Sequence, residues 1–306
     1  MNEFELIEQI VADLGASACA PWVRVGPGDD AAVIAVPAGM ELVATIDAIV
    51  ADVHFPATAG AALIGYRAVM VSASDLAAMG AEGGYLLVAL NLPQGDPAWV
   101  AGLTRGMAEA SAAIGVPIVG GNLAAGPLSI TVAAQGFVPA GQALLRSGAE
   151  PGDGVYVTGE LGAAAAALAR GGLGQCASVA DLDPLSARYF RPMARMDVGR
   201  ALRGLARSAI DVSDGLLQDL GHLCDASGVG VALDSAAVPV AAGATLQQAL
   251  TGGDDYELCF TLPPGAEARL PALDVALHRI GEATAERGVW LDGRQIPAGG
   301  YQHFHS

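Results

Sequence analysis

Carboxylates interrupt apolar stretches at several places in this sequence, and they are the first candidates for chemistry. Asp29 and Asp30 follow a Gly-Pro-Gly turn and stand directly before the apolar run 31–36. Asp47 lies inside the β-branched run "ATIDAIV", where an acidic residue has no local capping role. Because burying an isolated carboxylate costs several kcal/mol, these acids need partners. Asp29 and Asp30 could also be ordinary turn residues.

Three more aspartates occur in similar settings, namely Asp75 in "SASDLAAM" and Asp211 and Asp214 in "DVSDGL". Asp75 and Asp214 each follow a Ser and open a helical pattern, so the alternative for them is helix capping, worth about 0.5–2 kcal/mol. With Asp30 and Asp47, these residues from both halves could supply oxygen ligands to one hard cation. Oxygen ligands favour magnesium or calcium over zinc, and the five histidines form no HExxH pair.

Glycine-rich segments form the second candidate feature. "GGN" covers residues 120–122 at the end of an apolar run, and "GGDD" covers residues 252–255 just before "YELCF". Backbone amides without neighbouring side chains can approach phosphate closely. The sequence has neither a GxxxxGK[ST] P-loop nor a GxGxxG dinucleotide motif, so these glycines could equally be tight turns.

Composition argues against several classes of partner. Asp and Glu outnumber Lys and Arg 32 to 15, giving a formal net charge of -17, and no basic run is present. We therefore expect neither nucleic acid nor a membrane as a partner. The acidic, amphipathic first helix does not have the order of a signal peptide, and the four cysteines are widely spaced without a CxxC pair. These features predict a cytoplasmic protein.

The 306 residues, 53% of them hydrophobic, suffice for two domains with separate cores. Alternating strand and helix patterns occupy, in order, residues 40–55, 62–80, 85–93, 97–115 and 128–138, and Gly115 is a plausible C-cap of the second helix. A turn-rich segment at 146–154 precedes a new strand and an Ala-rich helix. The alternation predicts an α/β (α+β) fold with domains of residues 1–145 and 146–306.

Eight segments carry a resemblance across nearly the whole chain. In order, they are "GDDAAV", "IDAIVADVHF", "SDLAAMGA", "VGGN", "RSGAEPGD", "DVSDGL", "GGDDYEL" and "GGYQHF". Together they resemble the thiamine-monophosphate kinase family of the aminoimidazole ribonucleotide synthetase-like (PurM-like) superfamily. The resemblance implies an N-terminal domain that dimerises through its sheet into a β-barrel, and a C-terminal α/β domain. It also implies ATP- and Mg²⁺-dependent phosphorylation of thiamine monophosphate to thiamine diphosphate by a homodimer.

The resemblance further implies roles for individual residues. The implied magnesium ligands are Asp30, Thr45, Ile46 (through its backbone carbonyl), Asp47, Asp75, Asn122, Asp211 and Asp214. The implied contacts to ATP are Gly121, Asn122, Arg146 and Ser213, and those to the thiamine moiety or its phosphate are His54, Asp254 and Tyr301. The five aspartates of the magnesium set and Arg146 would support direct in-line phosphoryl transfer, which needs alignment and charge neutralisation more than covalent chemistry.

Three positions depart from the usual pattern of that family. Asn122 stands in place of an Asp and offers a carbonyl oxygen without charge. Ile46 stands in place of a Thr, so the hydroxyl is lost and the backbone carbonyl remains. Asp254 stands in place of a Glu and is one methylene shorter, so a contact to substrate through water becomes an alternative to a direct one.

Two other functions remain open from the sequence. The first is a different ATP-using enzyme of the same superfamily. Hydrogenase maturation enzymes of this kind would need a reactive C-terminal Cys, whereas this chain ends "GGYQHFHS". The second is a non-catalytic paralogue that binds nucleotide or thiamine phosphate, which Asn122 and Ile46 would explain.

Overall fold

The chain forms two compact units in the computed structural model, which describes residues 3–297 and 299–301. Unit 1 comprises Met1–Leu76, Glu82–Gly141 and Gly172–Asp183, and unit 2 comprises Ala77–Ala81, Gln142–Gly171 and Pro184–Ser306. The division is therefore not linear in sequence, because short segments of each half belong to the other unit. The last letters of the "GGYQHF" segment lie outside the described residues.

Helices and strands alternate through much of the described chain. The helices are α1 Glu3–Leu14, α2 Ala61–Ala78, α3 Pro97–Ile114, α4 Ala163–Arg170, α5 Pro184–Phe190, α6 Met196–Leu202, α7 Leu216–Ser227 and α8 Leu246–Thr251. The strands are β1 Val23–Val25, β2 Val33–Ile34, β3 Met40–Val50, β4 Glu82–Leu92, β5 Ile118–Ala125, β6 Ser129–Pro139, β7 Gly154–Thr158, β8 Ser208–Val212, β9 Gly230–Leu233, β10 Glu257–Leu262, β11 Leu277–Thr284, β12 Gly288–Leu291 and β13 Arg294–Ile296. The predicted mixed α/β character is confirmed.

Unit 1 is built on a four-stranded sheet in the order β3-β6-β4-β5. β6 pairs antiparallel with both β3 and β4, and β5 runs parallel to β4. Alternate side chains of a strand point to opposite faces, and on one face Ile49, Ile130 and Val132 are buried in the core of the unit. The buried helix α2 and its neighbour α3 belong to the same core.

The opposite face of this sheet carries exposed apolar side chains. Ile46 is 66% exposed, Leu42 48% and Leu87 37%. Ile46 on β3 and Leu87 on β4 both stand opposite Ala133 of the strand between them. A contiguous exposed apolar face of this kind is typical of a protein–protein interface.

α2 and α3 approach each other so closely that glycines are required at their contact. A Cβ atom on Gly106 of α3 would come within 1.9 Å of the carbonyl oxygen of Ala62, and one on Gly65 of α2 within 2.2 Å of that of Leu103. Among the described residues, α2 is the helix long and apolar enough to cross a membrane, but 83% of it is buried. Its apolar character is therefore accounted for by its core position.

Unit 2 is built on a seven-stranded sheet in the order β13-β12-β9-β11-β7-β10-β8. Its pairs are antiparallel except β12 with β9. All five residues of β7, all five of β8 and all six of β10 are buried. Leu216, Leu220 and Leu223 of α7 pack into the same core as Val157 and Ile210. The Asp211 carboxylate therefore lies in a buried strand at the edge of this sheet.

One local prediction is confirmed, and two are wrong. Gly115 ends α3 in the left-handed conformation, with φ 68°. The strand predicted to reach residue 55 ends at Val50, because residues 51–55 form a turn. Asp75 does not open a helix, since it lies in the last turns of α2. The apolar periodicity of α2 runs through the "SASD" segment, so capping does not explain Asp75.

Replacing Gly106 by Ala tests the α2–α3 contact. The added Cβ would meet a backbone oxygen, which cannot move without shifting a helix, so we expect G106A to lower the free energy of unfolding by about 1–3 kcal/mol. G102A in the same helix is the control, because its Cβ would meet the Ala61 Cβ at 3.2 Å and the Ala62 backbone nitrogen at an ordinary contact distance of 3.9 Å. Urea denaturation measures both, and equal stability of the two variants would contradict the packing assignment.

Candidate functional site

In unit 1, the predicted residues Thr45, Asp47 and Asp75 are brought together. Thr45 and Asp47 are two residues apart on β3 and therefore share a face of the sheet. The Thr45 hydroxyl donates a hydrogen bond of 2.5 Å to Oδ2 of Asp75 on α2. Burial and then the negative charge of Asp75 raise the pKa of Asp47 to about 6. The Asp47 and Asp75 carboxylates thus lie close enough for the charge of one to disfavour ionisation of the other.

This pair fits a divalent cation of the magnesium type. Among the described residues, no three His, Cys, Asp or Glu side chains are placed so that they alone could hold a metal ion. Magnesium in proteins is commonly bound through one or two carboxylates, with the remaining positions taken by water and substrate phosphates. A two-carboxylate group such as Asp47 with Asp75 is therefore the expected kind of protein contribution.

The remaining predicted ligands of unit 1 are placed separately. Asp30 is exposed in a bend, and its N–H donates to the Asp29 carboxylate at 2.8 Å. The Ile46 side chain is on the opposite face from Thr45 and Asp47, which leaves its backbone carbonyl as the available ligand. Asn122 is exposed on β5, opposite Ala89 of β4.

Gly121 has a structural reason to be glycine. A Cβ atom at this position would come within 1.9 Å of the carbonyl oxygen of Val88 on the neighbouring strand. The residue lies within β5 and not in a turn, and it is exposed. The backbone of Gly121 is therefore accessible, whereas β4 occupies the space that a side chain would need. This is compatible with the predicted contact to a nucleotide.

His54 lies in the turn that follows β3. Its Nδ1 accepts a hydrogen bond of 3.0 Å from the N–H of Val50, which leaves Nε2 as the protonated nitrogen of the neutral ring. The Arg67 side chain, buried within α2, donates from Nε to the His54 carbonyl at 3.3 Å. Hydrogen bonds to the His54 ring and to the His54 carbonyl thus hold the turn. Nε2 is the donor nitrogen of the His54 ring.

In unit 2, a buried carboxylate holds the predicted Ser213–Asp214 loop. Oδ2 of Asp219, on α7, accepts hydrogen bonds of 3.0 Å from the N–H groups of both Ser213 and Asp214. Burial raises the pKa of Asp219 to about 7, and the backbone donor at Asp214 acts in the opposite direction. Asp211 precedes this loop in β8 and is 5% exposed. Asp219 therefore anchors the loop that carries Ser213, a predicted ATP contact, and Asp214, a predicted metal ligand.

Tyr301 lies beside the same loop. Its N–H donates to the Asp214 carbonyl at 2.9 Å. The amide nitrogen of Gln218 donates to both the Asp214 carboxylate at 3.1 Å and the Tyr301 carbonyl at 3.0 Å. The Tyr301 side chain is 47% exposed. Its ring is therefore accessible to a ligand while its backbone is fixed to Asp214.

The predicted substrate residue Asp254 has an unusual backbone conformation. It has φ 71°, and Tyr256 has φ 51°, both in the left-handed region that disfavours side chains. Such residues cost about 1–3 kcal/mol each and persist where the surroundings enforce them. The Asp254 N–H donates to the Ser213 carbonyl at 2.8 Å, and the Tyr256 hydroxyl donates to the Asp254 carboxylate at 3.0 Å. This joins Asp254 to the Ser213–Asp214 loop.

Arg146 is exposed in the connection that leads to β7. Its carbonyl accepts a hydrogen bond of 3.0 Å from the Ser227 hydroxyl, which in turn accepts from the N–H of Ala149 at 3.1 Å. Further along, the Arg207 guanidinium pairs with both Glu150 and Asp153. The backbone around Arg146 is thus fixed and its side chain projects from a tethered segment.

Unit 2 therefore gathers four predicted residues into one hydrogen-bonded group, and these are Ser213, Asp214, Asp254 and Tyr301. We call them, with Gln218 and Asp219, the unit 2 loop cluster. Sequence reasoning missed Arg67, Gln218 and Asp219, which support predicted residues. The buried Arg67 and Asp219 had one available signal, since each is a charged residue within an otherwise apolar helical face.

The architecture and the site together define the class. Each of the two units combines a sheet with helices and carries predicted ligand carboxylates, and family comparison assigns the class. The AIR synthase related protein N-terminal domain family matches residues 28–138, and the corresponding C-terminal domain family matches residues 150–292. The two matched regions cover most of the chain.

Comparison with individual proteins identifies the family within this class. The thiamine-monophosphate kinase of Escherichia coli K12 is 42% identical over 304 residues, covering 92% of each chain. The crystal structure of thiamine-monophosphate kinase from Stenotrophomonas maltophilia K279a has a TM-score of 0.86 at 37% identity, covering 97% of this chain and 98% of that one. A structure described as AaThiL complexed with AMPPCP and TMP has a TM-score of 0.79 at 28% identity, covering 99% and 97%. The chain belongs to the thiamine-monophosphate kinase family.

Asp219→Ala tests the anchoring of the unit 2 loop cluster. It would leave the N–H groups of Ser213 and Asp214 without their carboxylate acceptor, and we expect the free energy of unfolding to fall by about 1–3 kcal/mol. Asp225→Ala is the matched control, since Asp225 is an exposed residue of the same helix. Chemical denaturation at neutral pH measures both. A loss no greater than that of the control would show that Asp219 does not anchor the loop.

Proposed function

We propose that this chain transfers the γ-phosphoryl group of ATP to thiamine monophosphate, forming thiamine diphosphate and ADP. The observation that carries the proposal is the unit 2 loop cluster. It joins residues that the resemblance assigned to metal, nucleotide and thiamine phosphate, namely Ser213, Asp214, Asp254 and Tyr301. The family relationship supports the same reaction, because a related protein has been solved with AMPPCP and TMP.

The proposed reaction is a direct in-line displacement. The acceptor is a phosphate monoester whose second pKa is about 6, so its attacking oxygen is largely ionised at neutral pH. It therefore needs no general base. An oxygen of this phosphate forms a bond to the γ-phosphorus while the bond from that phosphorus to the β–γ bridging oxygen breaks, and ADP leaves. Alignment and charge neutralisation supply most of the catalysis in such transfers.

Magnesium is proposed as the cation required with ATP. Asp47 and Asp75 in unit 1 and Asp211 and Asp214 in unit 2 are the proposed principal ligands, with Asp30, Thr45, Asn122 and the Ile46 carbonyl as additional oxygen donors. When bound, magnesium neutralises phosphate charge and orients the phosphates. The chain's own contribution is to fix these oxygens, through the Thr45–Asp75 hydrogen bond and through the Asp219 anchor.

Arginine is the chain's sole permanent side-chain cation, because the sequence contains no lysine. Arg146 is exposed and is proposed as an electrostatic clamp on ATP, with the Gly121 and Asn122 backbone and Ser213 as further contacts. His54, with Nε2 as donor, Asp254 and the accessible ring of Tyr301 are proposed to contact the thiamine moiety or its phosphate. An aromatic ring is suited to stacking on a heterocycle.

We also propose that the protein acts as a cytoplasmic homodimer. The exposed apolar face of the unit 1 sheet, with Leu42, Ile46 and Leu87, supports a second copy as the partner, as the resemblance implies. Cys19, Cys176, Cys224 and Cys259 are all free thiols, which is compatible with a reducing compartment.

The first test measures ADP release from MgATP by the purified protein with and without thiamine monophosphate, with thiamine diphosphate identified by chromatography. We expect both products in equal amounts, dependent on magnesium and on thiamine monophosphate. Binding of both ligands without ADP would instead favour a non-catalytic paralogue. If neither binding nor turnover is observed, other substrates of the superfamily should be tested.

Removing charge from a proposed ligand should reduce turnover without unfolding the protein. We expect Asp214→Asn, and separately Asp30→Asn, to lower kcat by about 10- to 100-fold, because each removes metal-directed charge while keeping side-chain size. Asp225→Asn is the control, an equivalent loss of charge at an exposed residue of α7. Circular dichroism verifies folding, and wild-type turnover in either variant would remove that residue from the metal set.

Asn122→Asp tests the departure of this chain from its family at a proposed ligand. A carboxylate binds magnesium more strongly than a neutral amide oxygen, so we expect half-maximal activity at a magnesium concentration about tenfold lower. Titration of activity with magnesium at constant ATP makes the measurement. An unchanged midpoint would show that residue 122 is not a ligand.

A further inference from the structure

Two adjacent acids, Asp254 and Asp255, are used differently by the structure. The carboxylate of Asp254 accepts a hydrogen bond from the nearby Tyr256 hydroxyl, and the residue is partly exposed. Both carboxylate oxygens of Asp255 are 2.9 Å from the N–H of Gly162, directly before α4. One acid is therefore accessible to ligand, while the other connects this loop to a different part of unit 2.

The backbone on either side of Asp255 is not in a conformation that local preferences would maintain. Asp254 and Tyr256 are both in the left-handed region, on either side of Asp255. Left-handed backbone is uncommon for non-glycine residues and is an outlier for a bulky residue such as Tyr. Contacts from outside the segment must therefore maintain it.

Those contacts come from three directions within unit 2. The N–H groups of Asp254 and Tyr256 donate to the carbonyls of Ser213 and Val212, each at 2.8 Å. The side chain of Asp255 reaches Gly162 on the opposite side. The adjoining Glu257 is 2% exposed and is held by Arg195, whose Nε donates to Oε2 at 2.7 Å.

The two glycines before Asp254 allow the loop to pack closely against its neighbours. A Cβ atom on Gly253 would come within 2.5 Å of the Ser213 carbonyl oxygen, and one on Gly252 within 2.4 Å of the Ala165 Cβ on α4. The segment is therefore pressed between the Ser213 loop and α4. The Asp255 carboxylate provides the side-chain hydrogen bond that connects this segment to Gly162, directly before α4.

We propose that Asp255 is a positioning residue, which holds Asp254 in the left-handed conformation that presents its carboxylate to thiamine monophosphate. The inference rests on the proposed function. Asp255 does not itself contact substrate. Burial raises the pKa of its carboxyl to about 8, against the effect of the Gly162 N–H. A neutral acid retains an acceptor oxygen for Gly162, and Asn has the same shape and acceptor.

The test compares Asp255→Ala with Asp255→Asn and a control. Asp255→Ala removes the acceptor, and we expect it to raise the KM for thiamine monophosphate by about tenfold while the KM for MgATP stays within about threefold. Asp255→Asn should restore the KM for thiamine monophosphate to within about threefold of wild type. Asp234→Ala is the control, since Asp234 is exposed in the same unit and also accepts one backbone N–H, from Ala236.

Hydrogen exchange of the amides of residues 252–257 gives a readout that does not need catalysis. We expect exchange in this segment to accelerate by about tenfold in Asp255→Ala, with β7 and β8 unchanged. If Asp255→Ala does not fold, Asp255→Glu replaces it, because it keeps the charge but displaces the acceptor by one methylene. The same selective rise in KM is expected for that variant.

Three results would overturn the inference. They are an unchanged KM for thiamine monophosphate, an equal rise of both KM values, and unaltered exchange at residues 252–257. Failure of the proposed function is distinguishable, because wild type would then form no thiamine diphosphate. The exchange measurement would still decide whether Asp255 holds the Asp254 segment.

Discussion

The burial of carboxylates close to other carboxylates is the constraint on which the candidate site depends. Asp47 lies near Asp75, and the charge of Asp75 together with burial raises the pKa of Asp47. Burial also raises the pKa of Asp219, while the Asp214 N–H that donates to it acts in the opposite direction. Each arrangement is unfavourable by itself at neutral pH, so the fold must hold the groups in place with other interactions. Their common property is local negative charge, which a nearby cation would stabilise.

The two units meet this constraint with different structures. Unit 1 places its acids on regular elements, a strand and a helix that are joined by the Thr45–Asp75 hydrogen bond. Unit 2 places Asp211 in β8, and Asp214 and Asp254 on the loops after β8 and before β10. It fixes those loops with the carboxylates of Asp219 and Asp255, which accept backbone N–H groups. A loop with several such anchors can present a side chain almost as precisely as a strand does. Precise placement is the main requirement of phosphoryl transfer, in which the protein contributes alignment and a prepared electrostatic environment.

The departures at Asn122, Ile46 and Asp254 have different consequences in this setting. The Ile46 side chain is on the exposed apolar face of the sheet, away from Thr45 and Asp47, so it is not directed at the carboxylate pair. Asn122 keeps an exposed oxygen at the proposed ligand position. Asp254 is shorter than Glu, but its backbone is fixed by Ser213 and its carboxylate by Tyr256. None of the three positions is itself a member of the carboxylate pair Asp47 and Asp75.

The sequence by itself determined the elements and the identity of the acids. Apolar periodicity located α2, α3 and the main strands of unit 1, because the side-chain period of each element is a local property. The acid within "ATIDAIV" was recognisable because no local role explains a charge there. Only the tertiary structure decided which groups meet. Thr45 contacts Asp75 across 30 residues, and Asp255 contacts Gly162 across 93. Asp255 resembles an ordinary loop acid in sequence, and the left-handed backbone at Asp254 and Tyr256 is enforced by distant carbonyls. These features depend on long-range packing, which no local pattern encodes.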